Sequence, residues 1–373
     1  MKKENTLLLI SAILSVSILL LSFFLSNKNK IKEDIPEIKK DTNIEQVKEE
    51  KKDPPQVVEN VPSFLHSAWI PAWDFENGYS SLEKYKGDIG EINPVFYGVN
   101  SDGTLLNRKP SEQSVQKLLS FATKKYIEVI PTVGSYDFKV MRSLLQSEAY
   151  IEKHISEILK EVEKYNFDGV DIDYEKIYSS EKEGYFKFLT DLKTALHAKE
   201  KILSVTVVAK IRDGTQDTLA VQDWERIDKI ADRIKIMTYD FTLQTSTTAG
   251  PIAPINWMED VIEYAKERID SKKISLGVHL YAYLWKDTKA SALTETSVAN
   301  ILKNSNIQRE YKKDIAEGYA QYKCSDGATC TLFYQTEEGV LERIKLAKES
   351  NLLGVSYWRL GKELDLLSKA FSD

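Results

Sequence analysis

The chain of 373 residues carries 51 Lys and Arg against 57 Asp and Glu, a formal net charge of −6 at pH 7. So mild an imbalance gives no sign of a polyanionic partner and speaks against nucleic acid. The two Cys and the four scattered His, at positions 66, 154, 197 and 279, match no four-ligand zinc spacing.

The first element is an apolar run at 6–26, 21 residues without a charge, preceded by Lys2 and Lys3. A helix of roughly 20 apolar residues spans a bilayer core. The run ends Ser22-Phe23-Phe24-Leu25-Ser26, a poor site for a signal peptidase. An uncleaved transmembrane anchor at 1–26 is therefore expected in preference to a removed signal. Lys28, Lys30 and Lys32 follow it. Their count favours a cytoplasmic C-terminus, but long domains translocate largely regardless of flanking charge. Residues 27–60 read as a flexible linker. Between 27 and 53 there are eight Lys, eight Asp or Glu and no aromatic residue, and Pro54 and Pro55 follow. Such a segment buries too little apolar surface to offset its ordering entropy.

Residues 61–373 form the globular part. Short strands rich in Val, Ile or aromatics are expected at 67–73, 91–99, 127–133, 169–174, 203–209, 234–239, 274–280 and 354–358. Near-continuous apolar runs suit parallel strands covered on both faces. Helical spacing lies between them: Ile151, Ile155, Ile158, Leu159 and Val162 share a face, as do Tyr185, Phe188, Leu189, Leu192 and Leu196. Strand–helix alternation repeated in this way predicts an α/β fold, a (β/α)8 TIM barrel. The length suits a barrel of about 250 residues plus insertions. Residues 286–335 do not alternate. They are read as a small insertion between the seventh and eighth strands, over the C-terminal mouth. Within it Cys324 and Cys330 flank Asp326-Gly327, a hairpin turn signal. In an oxidising compartment these thiols would pair as a disulfide; the other reading is two unpaired thiols.

Barrel active sites sit at the C-terminal ends of the strands. The fourth strand runs Asp168-Gly169-Val170-Asp171-Ile172-Asp173-Tyr174-Glu175. Alternation sends Asp171, Asp173 and Glu175 to one face and Val170, Ile172 and Tyr174 to the other. The apolar set suits the helix layer, so the acids face the barrel interior. Crowded like charges raise a carboxyl pKa, and a carboxyl kept protonated near neutral pH is a general acid. Glu175, outermost and longest, is the candidate. A divalent-metal site and a solvated strand end are the other readings of the run.

The same run resembles the DxxDxDxE signature of the family 18 glycoside hydrolases, the chitinase family. Met237-Thr238-Tyr239-Asp240 resembles the family's M-x-Y-D motif, and Trp358 matches its tryptophan under the bound sugar. The runs at 249–254 and 358–361 are similar to the bacterial branch that includes spore-germination and cortical-fragment-lytic enzymes. The third strand departs from the pattern: Thr132-Val133-Gly134-Ser135 stands where chitinases usually carry Ser-x-Gly-Gly. The resemblance covers 65–370.

That resemblance implies a retaining, substrate-assisted hydrolysis of N-acetylglucosamine-containing glycans, one of the exceptions to the two-carboxylate scheme. Glu175 would protonate the leaving oxygen and later deprotonate water. The substrate's 2-acetamido oxygen would attack the anomeric carbon. Asp173 would orient that group, with Asp171 supporting Asp173 through a shared proton. Tyr239 would hydrogen-bond the acetamido oxygen, and Asp240, Met237 and Trp358 would line the sugar. No metal or organic cofactor would be needed. The expected substrate is peptidoglycan or its fragments, then chitin, met by an extracytoplasmic domain tethered through its N-terminal helix. The competing reading is a non-catalytic carbohydrate-binding protein on the same barrel, against which the presence of Glu175 counts. Trp69, Trp73, Trp285, Tyr281 and Tyr283 lie near strand ends and suggest a sugar cleft, although core packing is the plainer reading for Trp69 and Trp285. Trp224 and Trp257 are assigned to packing, and His66 and His279 to structure. Arg359 either pairs with a barrel carboxylate or meets substrate.

Overall fold

The computed structural model describes residues 64–215 and 217–371. The expected anchor at 1–26 and linker at 27–60 lie outside the described residues. Among the described residues no helix is long and apolar enough to cross a membrane.

The strands in chain order are β1 (Leu65–Pro71), β2 (Glu91–Val95), β3 (Tyr97–Val99), β4 (Leu105–Asn107), β5 (Glu128–Val129), β6 (Thr132–Ser135), β7 (Gly169–Tyr174), β8 (Ile202–Val208), β9 (Arg233–Met237), β10 (Ile274–His279), β11 (Tyr281–Lys286), β12 (Lys289–Thr294), β13 (Arg309–Lys312), β14 (Glu317–Lys323), β15 (Thr329–Tyr334) and β16 (Gly354–Trp358). Eleven of them form one sheet in the order β4-β3-β6-β7-β8-β9-β10-β16-β1-β2-β5. Neighbours pair in parallel except β3 with β4.

This sheet is curled and TIM-barrel-like. The expected strand at 91–99 is split into β2 and β3, and that at 127–133 into β5 and β6. Prolines explain both breaks, since proline donates no hydrogen bond and is confined to edges and interruptions. Pro94 lies in β2, and the amide of Phe96 turns back onto the Pro94 carbonyl at 2.8 Å. Pro131 separates β5 from β6. The two halves of each broken strand take different neighbours: β2 pairs with β1 and β5, and β3 with β6. The row of strands thus ends in the same two strand positions at which it begins, and the sheet curls back on itself.

Helices cover the outside. Helix Glu148–Tyr165 buries Ile151, Ile155, Ile158 and Val162, the face that the spacing predicts. Ser147 starts it, accepting a hydrogen bond from the Tyr150 amide, and Asn166 ends it in the left-handed conformation at φ 50°. Each fully buried Ile contributes about 1.5–3 kcal/mol of transfer free energy. From β7, Val170, Ile172 and Tyr174 join this apolar layer. The Tyr174 ring stacks on Phe188 at 5.5 Å, and its hydroxyl meets His154 Nε2 at 2.5 Å.

The insertion is larger than 286–335 suggests. It begins at Tyr281 and forms a second, antiparallel sheet, β12-β11-β15-β14-β13. Ala282, Val298, Ala320, Leu332 and Tyr334 give it a small core of its own. Cys324 and Cys330 form a disulfide across the β14–β15 turn, with Cα atoms 5.8 Å apart and Gly327 at φ 86°. A buried pair ties the insertion to the loop after β9. Glu317 accepts the amides of Ile252 (3.0 Å) and Ala253 (2.5 Å). Arg343, on helix Glu337–Glu349, donates to the carbonyls of Ala253 (2.5 Å) and Ala316 (2.7 Å).

Candidate active site

Strand β7 carries the acids in the expected alternation. Asp171 and Asp173 are buried inside the sheet, and Glu175 stands half-buried one step beyond the strand end. Asp168 is structural. Its carboxylate accepts the Val129 amide at 2.7 Å and pins β5 beside β7.

Five side chains from four neighbouring strands donate to the Asp171 carboxylate: Ser204 (2.7 Å), Thr132 (2.9 Å), Thr206 (3.1 Å to each oxygen), Trp69 Nε1 (3.4 Å) and Lys235 (3.4 Å). Asp173 takes a different partner. Its Oδ2 accepts the Tyr136 hydroxyl at 2.9 Å, while its Oδ1 is buried without a protein partner. Among the described residues no hydrogen bond joins Asp171 to Asp173, so the expected shared proton has no counterpart in this geometry. Burial, then the charges of Glu175 and Asp171, push Asp173 well above the usual carboxylate range. Burial also raises Glu175, where the nearby Lys176 pulls it down and Asp240 pushes it up. Both shifts favour a held proton, the condition for a general acid.

The M-x-Y-D residues close the other side. Met237 ends β9, and Tyr239 and Asp240 follow it. All three line a cleft of about 860 Å³ together with Asp173, Glu175 and Trp358. Burial, then the charges of Asp173, Glu175 and Asp240, raise Tyr239 well above the usual phenol range. It is therefore a neutral donor, and among the described residues no side chain occupies its hydroxyl. Asp240 sits in the left-handed region at φ 59° and accepts the hydroxyls of Tyr281 and, at 2.7 Å, Tyr283. The insertion's first strand thus positions a barrel residue. Trp358 ends β16, half-buried, with its ring edge-on to Trp69 at 5.9 Å.

The remaining aromatics divide. Trp69 (2% exposed) is buried at the wall of the cleft, and Trp285 is a core residue that donates to the Ser246 carbonyl at 2.9 Å. Trp73 lies beyond β1 and is 66% exposed at the cleft rim. Trp224 is packed as expected. Trp257 is not confined to packing: it lines the cleft beside Phe241, their rings 5.3 Å apart. The helical stripe of Trp257 hid this, because a helix end can show one flank to a groove. His66, half-buried, and His279, buried, are structural, bonded to Tyr357 and Gln335. Arg359 pairs with Asp74 at 2.8 Å, which is not one of the barrel carboxylates.

Two residues at the acid cluster escape a reading of the sequence. Tyr136 follows the divergent third-strand run. Gly134 makes room for it, since a Cβ there would lie 2.7 Å from the Tyr136 hydroxyl. Lys235 alternates with Arg233 and Met237 in β9, and that Arg-x-Lys-x-Met spacing was the visible signal of a shared inward face.

The pattern of Glycosyl hydrolases family 18 matches residues 73–363 of this chain. The chain belongs to that family. It is 24% identical over 303 residues to the uncharacterized glycosylase YvbX of Bacillus subtilis, covering 78% of this chain and 86% of that protein. It is 28% identical over 275 residues to the cortical fragment-lytic enzyme of Bacillus anthracis, covering 70% of this chain but 62% of that enzyme's length. Among solved structures, the spore cortex-lytic enzyme SleL of Bacillus cereus superposes with a TM-score of 0.75 at 21% identity, over 83% of this chain and 73% of that one. A chitinase of Chromobacterium violaceum gives 0.76 at 22% identity, over 83% and 98%. Within the family 18 fold, the cleft described above therefore lies where glycan hydrolysis is to be sought.

Proposed function

We propose that this family 18 protein hydrolyses N-acetylglucosamine-containing glycans, peptidoglycan or its fragments first and chitin second, with retention of configuration and without an enzyme nucleophile. The observation that carries the reading is the pair Asp173–Glu175, two carboxyls held toward protonation beside the free hydroxyl of Tyr239. Glu175 protonates the glycosidic oxygen as the substrate's 2-acetamido oxygen attacks the anomeric carbon. Asp173 orients that acetamide and Tyr239 donates to its oxygen. Asp240, Met237 and Trp358 seat the sugar. Glu175, now a carboxylate, takes a proton from water, which opens the bicyclic intermediate with overall retention. The names of the relatives, with spore cortex, cortical fragments and chitin among them, support this substrate class.

Reducing-end release from N-acetylated glycan oligomers and peptidoglycan tests the reading. Wild type should turn over. Glu175→Gln should lose about 10²–10⁴-fold in kcat, the worth of a general acid–base group. Equal, negligible release by both, with glycan binding kept, would leave the non-catalytic binding protein instead.

The Cys324–Cys330 disulfide supports an extracytoplasmic domain, because such bonds persist in oxidising compartments. Thiol labelling of intact and permeabilised cells checks it. Reduced, cytoplasmic cysteines would overturn the placement.

A further inference from the structure

The barrel interior below the cleft holds an ionic column. Lys235, 1% exposed, points inward from β9. Its ammonium lies 3.4 Å from Asp171 Oδ1, 2.8 Å from Glu91 Oε1 and 2.6 Å from the Ser204 hydroxyl. Glu91, from β2, is bound on its far side by Arg233, which also reaches Glu128 at 2.5 Å. One cation therefore stands directly beneath the acid cluster, between the catalytic end and the barrel floor.

A buried carboxylate without a counter-charge is costly, and it escapes the cost by taking up a proton. Three carboxyls, Asp171, Asp173 and Glu175, share this interior. The charged or titratable groups facing Asp171 are Lys235 from β9, Glu91 from β2 behind that lysine, Asp173 from its own strand, and Tyr185 from helix Lys182–His197. Trp69, Thr132, Ser204 and Thr206 add uncharged donors from β1, β6 and β8. Lys235 is the one cation in that set. Lys235 and Trp69 Nε1 can only donate, so both approach Asp171 as an acceptor, and none of its donors reaches the open oxygen of Asp173.

We propose that Lys235 is a positioning residue of the hydrolytic site: it holds Asp171 as the fixed anion, so that the exchangeable protons belong to Asp173 and Glu175 alone. The inference rests on the hydrolytic reading above and deepens it. It assigns the support of Asp173 to charge rather than to a proton shared with Asp171. It also ties the acid limb of the pH–activity profile to the ion pair between Lys235 and Asp171.

Lys235→Met tests it, with Glu91→Gln as the control that opens the same buried pairing from the other side. An opposite charge at this range is worth about one to three pH units. The acid limb of kcat/KM in Lys235→Met should move upward by at least about one unit, while Glu91→Gln, which removes a like charge from the neighbourhood of Asp171, should not move it upward. If Lys235→Met fails to fold, the double variant Lys235→Met/Glu91→Gln, which removes one charge of each sign, should show the same shift. Unmoved limbs in folded variants would reduce Lys235 to a structural ion and overturn the proposal. A second readout is independent of turnover. Carboxyl ¹³C signals of Asp-labelled protein followed across the acid limb, assigned with Asp171→Asn and Asp173→Asn, should show less protonated Asp171 in wild type than in Lys235→Met at the same pH. Equal protonation of Asp171 in the two would sink the inference even if the hydrolytic reading stood. A wild type without turnover but with the expected signals would do the reverse.

Discussion

At the scale of single residues, the acid cluster shows how neighbours set protonation. Glu175 is raised by burial and by Asp240 and lowered by Lys176. An acid with a raised pKa works below it and fails as pH climbs through it. Lys176→Met should therefore move the alkaline limb of kcat/KM upward, by a few tenths of a unit because Lys176 is exposed and screened. A pH profile with and without high salt checks the direction and the screening. Tyr136 acts on the other carboxyl. Its hydroxyl opposes part of the upward shift of Asp173. Tyr136→Phe keeps the ring in the cleft and removes the donor, so kcat should fall on the order of tenfold with KM changing less. Steady-state kinetics on an N-acetylated oligomer separates the two constants. The Asp171, Asp173 and Glu175 face was legible from alternation, since a strand has a fixed period of two. Tyr136 was not, because a hydroxyl that reaches across from the neighbouring strand leaves no periodic trace.

At the scale of elements, the insertion shapes the cleft without carrying the acids. Tyr281 and Tyr283 of β11 hold Asp240, and Ala292, Leu293 and Thr294 of β12 form part of the cleft wall. Its seating depends on the fully buried Glu317 and Arg343. Breaking a buried pair by removing one partner costs about 3–5 kcal/mol, because the other charge is left unmatched. Arg343→Met should lower the unfolding free energy by that amount in a denaturant titration. It should also raise KM, as the loop at 249–254 and the insertion loosen. The sequence located the insertion and its disulfide from the loss of alternation and from Asp-Gly between two Cys. It placed the start late, because Leu280 alone separates Tyr281–Lys286 from the barrel strand before it and no turn residue marks the boundary. The breaks at Pro94 and Pro131 were visible as prolines, but their effect on pairing depended on which strands lay alongside.

At the scale of the whole molecule, the curled sheet brings groups from distant parts of the chain into one ionic interior. Glu91 illustrates the consequence. Burial alone would raise its pKa, but the charges of Lys235 and Arg233 outweigh burial and hold it at about 2, against 4.5 for a free side chain. A depressed carboxylate contributes stability that is present above its unfolded value and lost as pH falls through the folded one. Wild type should therefore lose about 3 kcal/mol relative to Glu91→Gln between pH 4.5 and 2. Acid unfolding of both proteins, followed by circular dichroism, measures the difference. The comparison with Glu91→Gln cancels the contributions of Asp173 and Glu175, whose raised values push stability the opposite way at higher pH, as pH falls through their folded values.

The sequence by itself determined the strand–helix alternation of the barrel, the inward face of Asp171, Asp173 and Glu175, and the family signature they spell. Those follow from local periodicity and spacing, which a single segment carries complete. The tertiary structure alone decided that Asp171 is bound by five donors, that Tyr136 rather than Asp171 is the partner of Asp173, that Trp257 opens onto the cleft, and that Lys235 stands under the acids. Each is a contact between strands or helices far apart in the chain. Such contacts depend on how the sheet closes, and no local pattern encodes that closure.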